Sequence, residues 1–339
     1  MISQTYRLFS PRQIRVDLID EQLGEEDLVV RPTYLSICAA DQRYYTGRRD
    51  HEVLKKKLPM ALIHEAVGEV LYDPKGKFSV GTKVVMIPNT PTEHDEVIKE
   101  NYLRSSYFKS SGFDGFMRSI VIMNRNRVIP YYNIEDRTAV LLELMSVAMN
   151  ALEHFDHYSH LKKQTIGIWG DGNVGFVTAL ILKYTFPNAK IVVLGKTIEK
   201  LNYFQFADEV HTITDIPNNF KIDHAFECVG GQYCGDAINQ IIDYINPEGS
   251  IALMGVSENN VPINTRMVLE KGLTLLGNSR SSYEDFAASI EFLEKFPKAK
   301  EYLNTIISDE IEVKSISDIN RAFDTDLNNE FKTIMKWKV

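Results

Sequence analysis

Cysteine is scarce in this chain: Cys38, Cys228 and Cys234 are the only three among 339 residues. So odd and sparse a set cannot build a disulfide framework, and in a reducing compartment each thiol is a small buried hydrophobe or a metal ligand. Long apolar runs are missing too, which excludes a bilayer-spanning helix. The first ten residues break up their apolar positions with Gln4, Tyr6 and Arg7. They hold no signal-peptide core, and a cytoplasmic location is expected. Excess positive charge is also lacking. The formal net charge is −8 and the isoelectric point about 5.6, which argues against a partner of nucleic acid or of a membrane. Internal repeats and low-complexity segments are absent.

Apolar residues make up 44% of the chain and charged residues 25%, the profile of an ordinary folded protein. A chain of this length exceeds what one core usually serves, so two domains are expected. The texture changes near residue 150. Before it, short β-rich runs at 28–30, 66–72, 83–87 and 118–121 are punctuated by Gly76, Gly81, Pro88 and Gly115. After it, apolar strands at 166–169, 191–194, 222–227, 250–255 and 273–277 alternate with helical patterns at 173–184, from 198, and up to 245. That alternation predicts an α/β architecture with a doubly wound parallel sheet of the Rossmann type. The expected division is a β-rich catalytic domain over 1–150, a dinucleotide-binding domain over 151–280, and a segment over 281–339 that returns to the first domain. Within that last segment, 283–296 reads as an amphipathic helix and 331–339 as a strand.

The sharpest motif is Gly170-Asp-Gly172-Asn173-Val174-Gly175, placed directly after a strand and opening a helix. Gly170 permits a tight turn, Gly172 lets the backbone approach a pyrophosphate, and Gly175 allows close packing. The helix N-terminus then points free N–H groups at the phosphates. The strand, helix and βαβ unit around it supply the context that a lone glycine pattern lacks. Twenty residues on, where an NAD site carries Asp or Glu for the ribose hydroxyls, stand Gly195, Lys196 and Thr197. Without an acid to repel a 2′-phosphate, and with Lys196 to pair with one, NADP(H) is the expected cofactor. A solvated surface role is the alternative for Lys196.

In the first domain Cys38-Ala-Ala-Asp41, Ile63-His64-Glu65 and Leu142-Glu143 offer a thiolate, an imidazole and carboxylates. These are the ligand types of zinc, and a catalytic zinc keeps one position open. Taken singly they read as a core cysteine, a strand histidine and a helix-terminal glutamate; together they read as a metal site. Here the chain resembles the zinc-dependent medium-chain dehydrogenases, the alcohol and sorbitol dehydrogenase superfamily, over nearly its whole length. The resemblance includes the nucleotide fingerprint and Glu227-Cys-Val-Gly230-Gly231. It implies a GroES-like catalytic domain and one catalytic Zn²⁺ in a cleft between domains, near the nicotinamide. It matches Cys38 and His64 to zinc ligands, Glu65 to the adjacent glutamate, and Glu143 to a glutamate that binds the metal directly or through water. Asp41 and Tyr44 join Cys38, His64 and Glu65 as candidate catalytic residues.

Three departures from that pattern stand out. The structural zinc of such enzymes needs four clustered cysteines, and between Asn89 and Gly112 there are none, so no structural zinc is expected. Ala40 replaces the Ser or Thr that passes protons in many relatives, which leaves water, a substrate hydroxyl or Tyr44 to do so. Ile63 stands where relatives place glycine.

The expected chemistry is polarisation of a carbonyl by the metal while hydride arrives from the nicotinamide C4. A substrate clue lies in the run from Arg43 to Lys57. It sets Arg43, Arg48, Arg49, Lys55, Lys56 and Lys57 against only Asp50 and Glu52, a local excess of four positive charges in an acidic chain. Arginine suits phosphate because its fork donates two hydrogen bonds, so Arg48 and Arg49 are candidate phosphate ligands. A solvated basic loop is the alternative, favoured for Lys55–Lys57. The segments 36–47 and 59–65 further resemble the ribulose-5-phosphate reductases of bacterial teichoic acid and capsule synthesis. That resemblance implies NADPH-dependent formation of ribitol 5-phosphate, a cytidylyltransferase as pathway partner, and a homodimer paired along the edge around residues 273–278. Competing readings are a sorbitol- or threonine-type dehydrogenase using NAD, a zinc-free quinone reductase, and a nucleotide-binding relative without catalysis.

Overall fold

The run Asp27–Ser36 carries two valines, two leucines and a tyrosine with a single proline. In the computed structural model, which describes residues 1–339, it is the central strand of a seven-stranded sheet. It pairs antiparallel with Glu65–Tyr72, Val121–Asn124 and Lys332–Trp337. Outward from these lie Lys83–Met86 and Val128–Pro130 on one side and Ile307–Val313 on the other. A smaller sheet is made by Ile2–Ser10, Gln13–Asp20 and Met60–Ala61. Leu28, Val30, Leu35, Ala66, Val70, Val84, Met86 and Phe116 pack into one core. Each large side chain withdrawn from water contributes roughly 1.5–3 kcal/mol.

Two compact units result, one of residues 1–143, 281–295 and 307–339, the other of 144–280 and 296–306. The terminal strand belongs to the first unit, but the return of 281–339 is interrupted, which corrects the expectation of one continuous segment. The helix Pro297–Thr305 belongs to the second unit because aromatic contacts hold it there. Phe296 meets Tyr184 at 5.0 Å and Tyr302 meets Phe206 at 5.2 Å. The division falls after Glu143, at the start of the helix Leu142–Tyr158, rather than near 150. The basic run also differs from a loop: His51–Lys57 is a helix whose first turn is capped by Asp50, which accepts from the N–H of Glu52 and Val53.

The second unit is a six-stranded, wholly parallel sheet. Its order is Glu209–Thr212, Lys190–Gly195, Thr165–Trp169, His224–Glu227, Ser250–Leu253 and Thr274–Gly277. Continuous apolar strands such as Ile191–Leu194 are fully buried, as a sheet covered on both faces requires. No helix of the chain is long and apolar enough to cross a membrane.

One buried group in this sheet makes stability depend on pH. His224 is wholly buried. Its Nδ1 accepts from the Ser250 N–H at 3.1 Å, while its Nε2 has no partner and its ring lies 4.2 Å from that of His160. Burial first, then the His160 and Lys163 charges, push its pKa down to about 4. The unfolded chain binds a proton near pH 6.5, so acidification favours unfolding between the two values. Stability is intact above about pH 6.5 and falls by roughly 3 kcal/mol as pH drops to about 4. Thermal melts across that range should show His224→Gln losing less stability on acidification than the parent. Parallel losses in the two proteins would rule this group out.

Candidate active site

Cys38 sits where the strand Asp27–Ser36 gives way to the helix Ala39–Tyr45, as the residue preceding the first helical turn. Asp41, three residues on, is completely buried. It accepts from the Ile63 N–H at 3.0 Å, the Ser110 hydroxyl at 2.5 Å and the Cys38 N–H at 3.3 Å, and faces His64 Nδ1 at 3.5 Å. That last distance is at the limit of hydrogen bonding, so the contact works chiefly through charge. It leaves the other ring nitrogen to face Cys38. Ile63 has φ of 73°, the left-handed region where relatives' glycine fits without strain. Bonds from its N–H to Asp41 and from the Phe116 N–H to its carbonyl hold it there. The close approach of Gly115 is also required, because a Cβ there would lie 2.3 Å from the Ile63 carbonyl oxygen.

Glu65 opens the strand Glu65–Tyr72 directly after His64, and it pairs with Ser36 near the cysteine. Ligand atoms of Cys38, His64 and Glu65 thereby come within 4.8 Å of one another. Zinc bonds run about 2.0–2.3 Å, so small side-chain movements suffice for one ion to bridge all three. A cysteine sulfur, an imidazole whose Nδ1 faces a carboxylate at 3.5 Å, and a glutamate fit such an ion. Glu143 is buried near this group without belonging to it. Burial is the largest influence on its carboxyl, which is pushed up to about 7 with His64, Glu65 and Lys332 nearby.

Three side chains of this site escaped sequence reasoning. Lys332 is 2% exposed, and its ammonium donates to both Glu65 oxygens at 2.5 and 2.7 Å and to the Ile37 carbonyl at 3.0 Å. Ser110 secures Asp41, and Phe108 tilts against the His64 ring at 5.4 Å. The one available signal was a lysine inside an apolar strand pattern, Phe331-Lys332-Thr-Ile-Met335. Tyr44 lies in the core rather than in the ligand cluster, its ring against Arg49 and Lys57. Arg48 is exposed. Glu100 ties the segment 89–112 to its surroundings. Its carboxylate accepts from Arg127 at 2.8 Å and from the Tyr283 N–H at 3.0 Å.

In the second unit, Gly170 adopts φ of 130° and its N–H donates to the Leu194 carbonyl. A Cβ at Gly175 would sit 1.9 Å from the Gly170 oxygen, whereas Gly172 faces open space. Asn173 and Val174 begin the helix Asn173–Thr185. A cavity of about 390 Å³ beside them is lined by Gly172, Gly195, Lys196, Ile213 and Tyr233, among others. The exposed Lys196 places its ammonium 5.4 Å from the Tyr233 ring centroid. The expectation that no acid stands here needs correction: Asp171 reaches over from the glycine loop. Its carboxylate accepts from the backbone N–H of Lys196 and Thr197 at 2.8 and 2.7 Å. Glu227 is structural, accepting from the N–H groups of Val229, Gly230 and Gly255.

Comparison with known proteins agrees with this geometry. The family descriptions "Alcohol dehydrogenase GroES-like domain" and "Zinc-binding dehydrogenase" match residues 24–133 and 186–295. A ribulose-5-phosphate reductase of Bacillus spizizenii is 51% identical over the whole of both chains. Ribulose-5-phosphate reductase 2 of Staphylococcus aureus is 52% identical, again over the whole of both. Among solved structures, S. aureus TarJ in complex with NADPH superposes with a TM-score of 0.90 at 46% identity, covering all of both chains.

Proposed function

The chain belongs to the zinc-binding dehydrogenase family, and from that premise we propose that it reduces D-ribulose 5-phosphate to D-ribitol 5-phosphate with NADPH, for teichoic acid synthesis. The observation that carries this reading is the convergence of Cys38, His64 and Glu65 in a chain half identical, end to end, to ribulose-5-phosphate reductases.

Cys38, His64 and Glu65 would hold a zinc ion, which would supply Lewis acidity toward a substrate carbonyl, while a bound nicotinamide would supply the hydride. The chain's residues prepare that site. Asp41 orients the His64 ring and favours donation from its other nitrogen. Lys332 neutralises Glu65, so three anionic or neutral donors do not crowd one point unbalanced. Glu143 adds a buried carboxyl beside them, and Phe108 covers the imidazole and excludes water from that side. Ala40 removes the hydroxyl relay of many relatives, so the arriving proton takes another route.

For the cofactor, Gly170, Gly172 and Gly175 shape the pyrophosphate turn. The N–H groups at Asn173 and Val174 would meet the phosphates, and the Lys196 ammonium would pair with a 2′-phosphate beside Gly195, the Lys196 and Thr197 N–H groups being held by Asp171. Initial rates of NADPH consumption with D-ribulose 5-phosphate test the whole reading, and no turnover would end it. Lys196→Ala should raise the KM for NADPH about tenfold, the worth of one charge-assisted contact, while sparing NADH. Gly195→Asp alone should not convert the enzyme to NADH, because its Cβ would lie 2.6 Å from that of Asp171. A clean switch by that single change would contradict the loop geometry.

A further inference from the structure

The basic run from Arg43 to Lys57 holds more cations than the metal and nucleotide sites employ, and the structure sorts them. Arg48, Lys55 and Lys56 are exposed. Lys57, the last residue of its helix, is not: its ammonium donates to the Ser111 hydroxyl at 3.0 Å and lies 5.9 Å from the Tyr44 ring centroid. The Arg49 guanidinium lies 4.8 Å from the same centroid. Tyr44 is 2% exposed, so two cations converge on one buried ring. That ring stands on the helix Ala39–Tyr45, which follows Cys38. Six residues separate Tyr44 from Cys38, about 9 Å along an α-helix. A second connection runs through Ser111, whose neighbour Ser110 donates to Asp41, the residue behind His64. The Lys57 contact and the Asp41 contact thus fall on adjacent residues, Ser111 and Ser110.

The hydrogen bond of Lys57 goes to a hydroxyl and not to an acid, so its charge stays available to an anion. A helix C-terminus favours a lysine there, and the compact ammonium binds phosphate as a point charge. We propose that Lys57, set by Ser111 beside the Tyr44 ring, forms the anion subsite that receives the terminal phosphate of a phosphorylated ketose. The substrate class follows from the function proposed above; the subsite is a separate statement about this chain. It also moves the expected phosphate contact from Arg48 to Lys57.

The test compares D-ribulose 5-phosphate with unphosphorylated D-ribulose. Lys57→Ala should raise the KM for the phosphorylated ketose by about tenfold or more, as loss of one charge-assisted contact implies. The shift for D-ribulose should be far smaller, and Lys57→Arg should recover part of the loss. Lys56→Ala, an exposed neighbour, serves as the control. Thermal melts with inorganic phosphate give a reading independent of turnover: phosphate should stabilise the parent more than Lys57→Ala. Should the parent fail to reduce ribulose 5-phosphate yet remain protected by phosphate through Lys57, the substrate reading falls and the subsite stands. Equal KM changes for both ketoses, or equal phosphate protection of parent and variant, would overturn the subsite.

Discussion

Replacing Cys38 by Ala should lower kcat/KM for the ketose by on the order of 10³-fold, and stripping the metal from the parent should do the same. The magnitude follows from the several kcal/mol that a Lewis acid contributes to a developing oxyanion, at about 1.4 kcal/mol per factor of ten. His64→Ala should behave alike, since it removes a second of three clustered donors. NADPH binding, followed by nicotinamide fluorescence, should persist in both variants, because the glycine turn and Lys196 belong to the other unit. Re-addition of zinc should restore the stripped parent and not the variants. Burial alone would pull the His64 pKa down, but Asp41 and Cys38 opposite it leave it well above the ordinary value. A metal bound there would compete with a proton, so loading should weaken as pH falls. Undiminished turnover after the metal has been removed, verified by metal analysis, would discard the proposed chemistry.

The second large effect concerns Lys332. In the metal-free protein Lys332→Met should destabilise the fold by about 3–5 kcal/mol, because a buried carboxylate then loses the ammonium that donates to both its oxygens. Two hydrogen bonds to Glu65 and one to the Ile37 carbonyl disappear together. Adding Glu65→Gln to that variant should recover much of the lost stability, since removing both charges avoids the desolvation that removing one exposes. Denaturant titrations of the two single variants and the double variant measure this directly. A double variant no more stable than Lys332→Met would show that the pair does not act as a unit. The effect on zinc is separable by metal analysis of the folded variants.

Much of the glycine turn and of the Cys38, His64 and Glu65 cluster was legible in the sequence. The glycine turn is local: φ of 130° at Gly170 and a forbidden Cβ at Gly175 impose requirements on residues five apart. Cys38 and His64-Glu65 could be found because each stands beside a recognisable strand, in chemistry that a core seldom needs. The basic run was visible as charge, but not as a helix that leaves Lys55 and Lys56 in solvent and turns Lys57 onto Ser111. The position after the second parallel strand was correctly read as lacking an acid of its own. It was misread as lacking any, because Asp171 arrives from another turn.

From the order of its residues alone this protein was bound to form a parallel nucleotide-binding sheet and to present a thiol, an imidazole and carboxylates from a β-rich half. Backbone conformation and hydrophobic period depend on near neighbours, so they can be read along the chain. Only the tertiary structure decided how the charges are balanced: Lys332 meets Glu65 across 267 positions of sequence, and Ser110 meets Asp41 across 69. It also decided that residues 296–306 leave the segment around them for the second unit. Such partnerships arise when buried charges must be paired once water is gone, and no local pattern records which distant residue will be at hand.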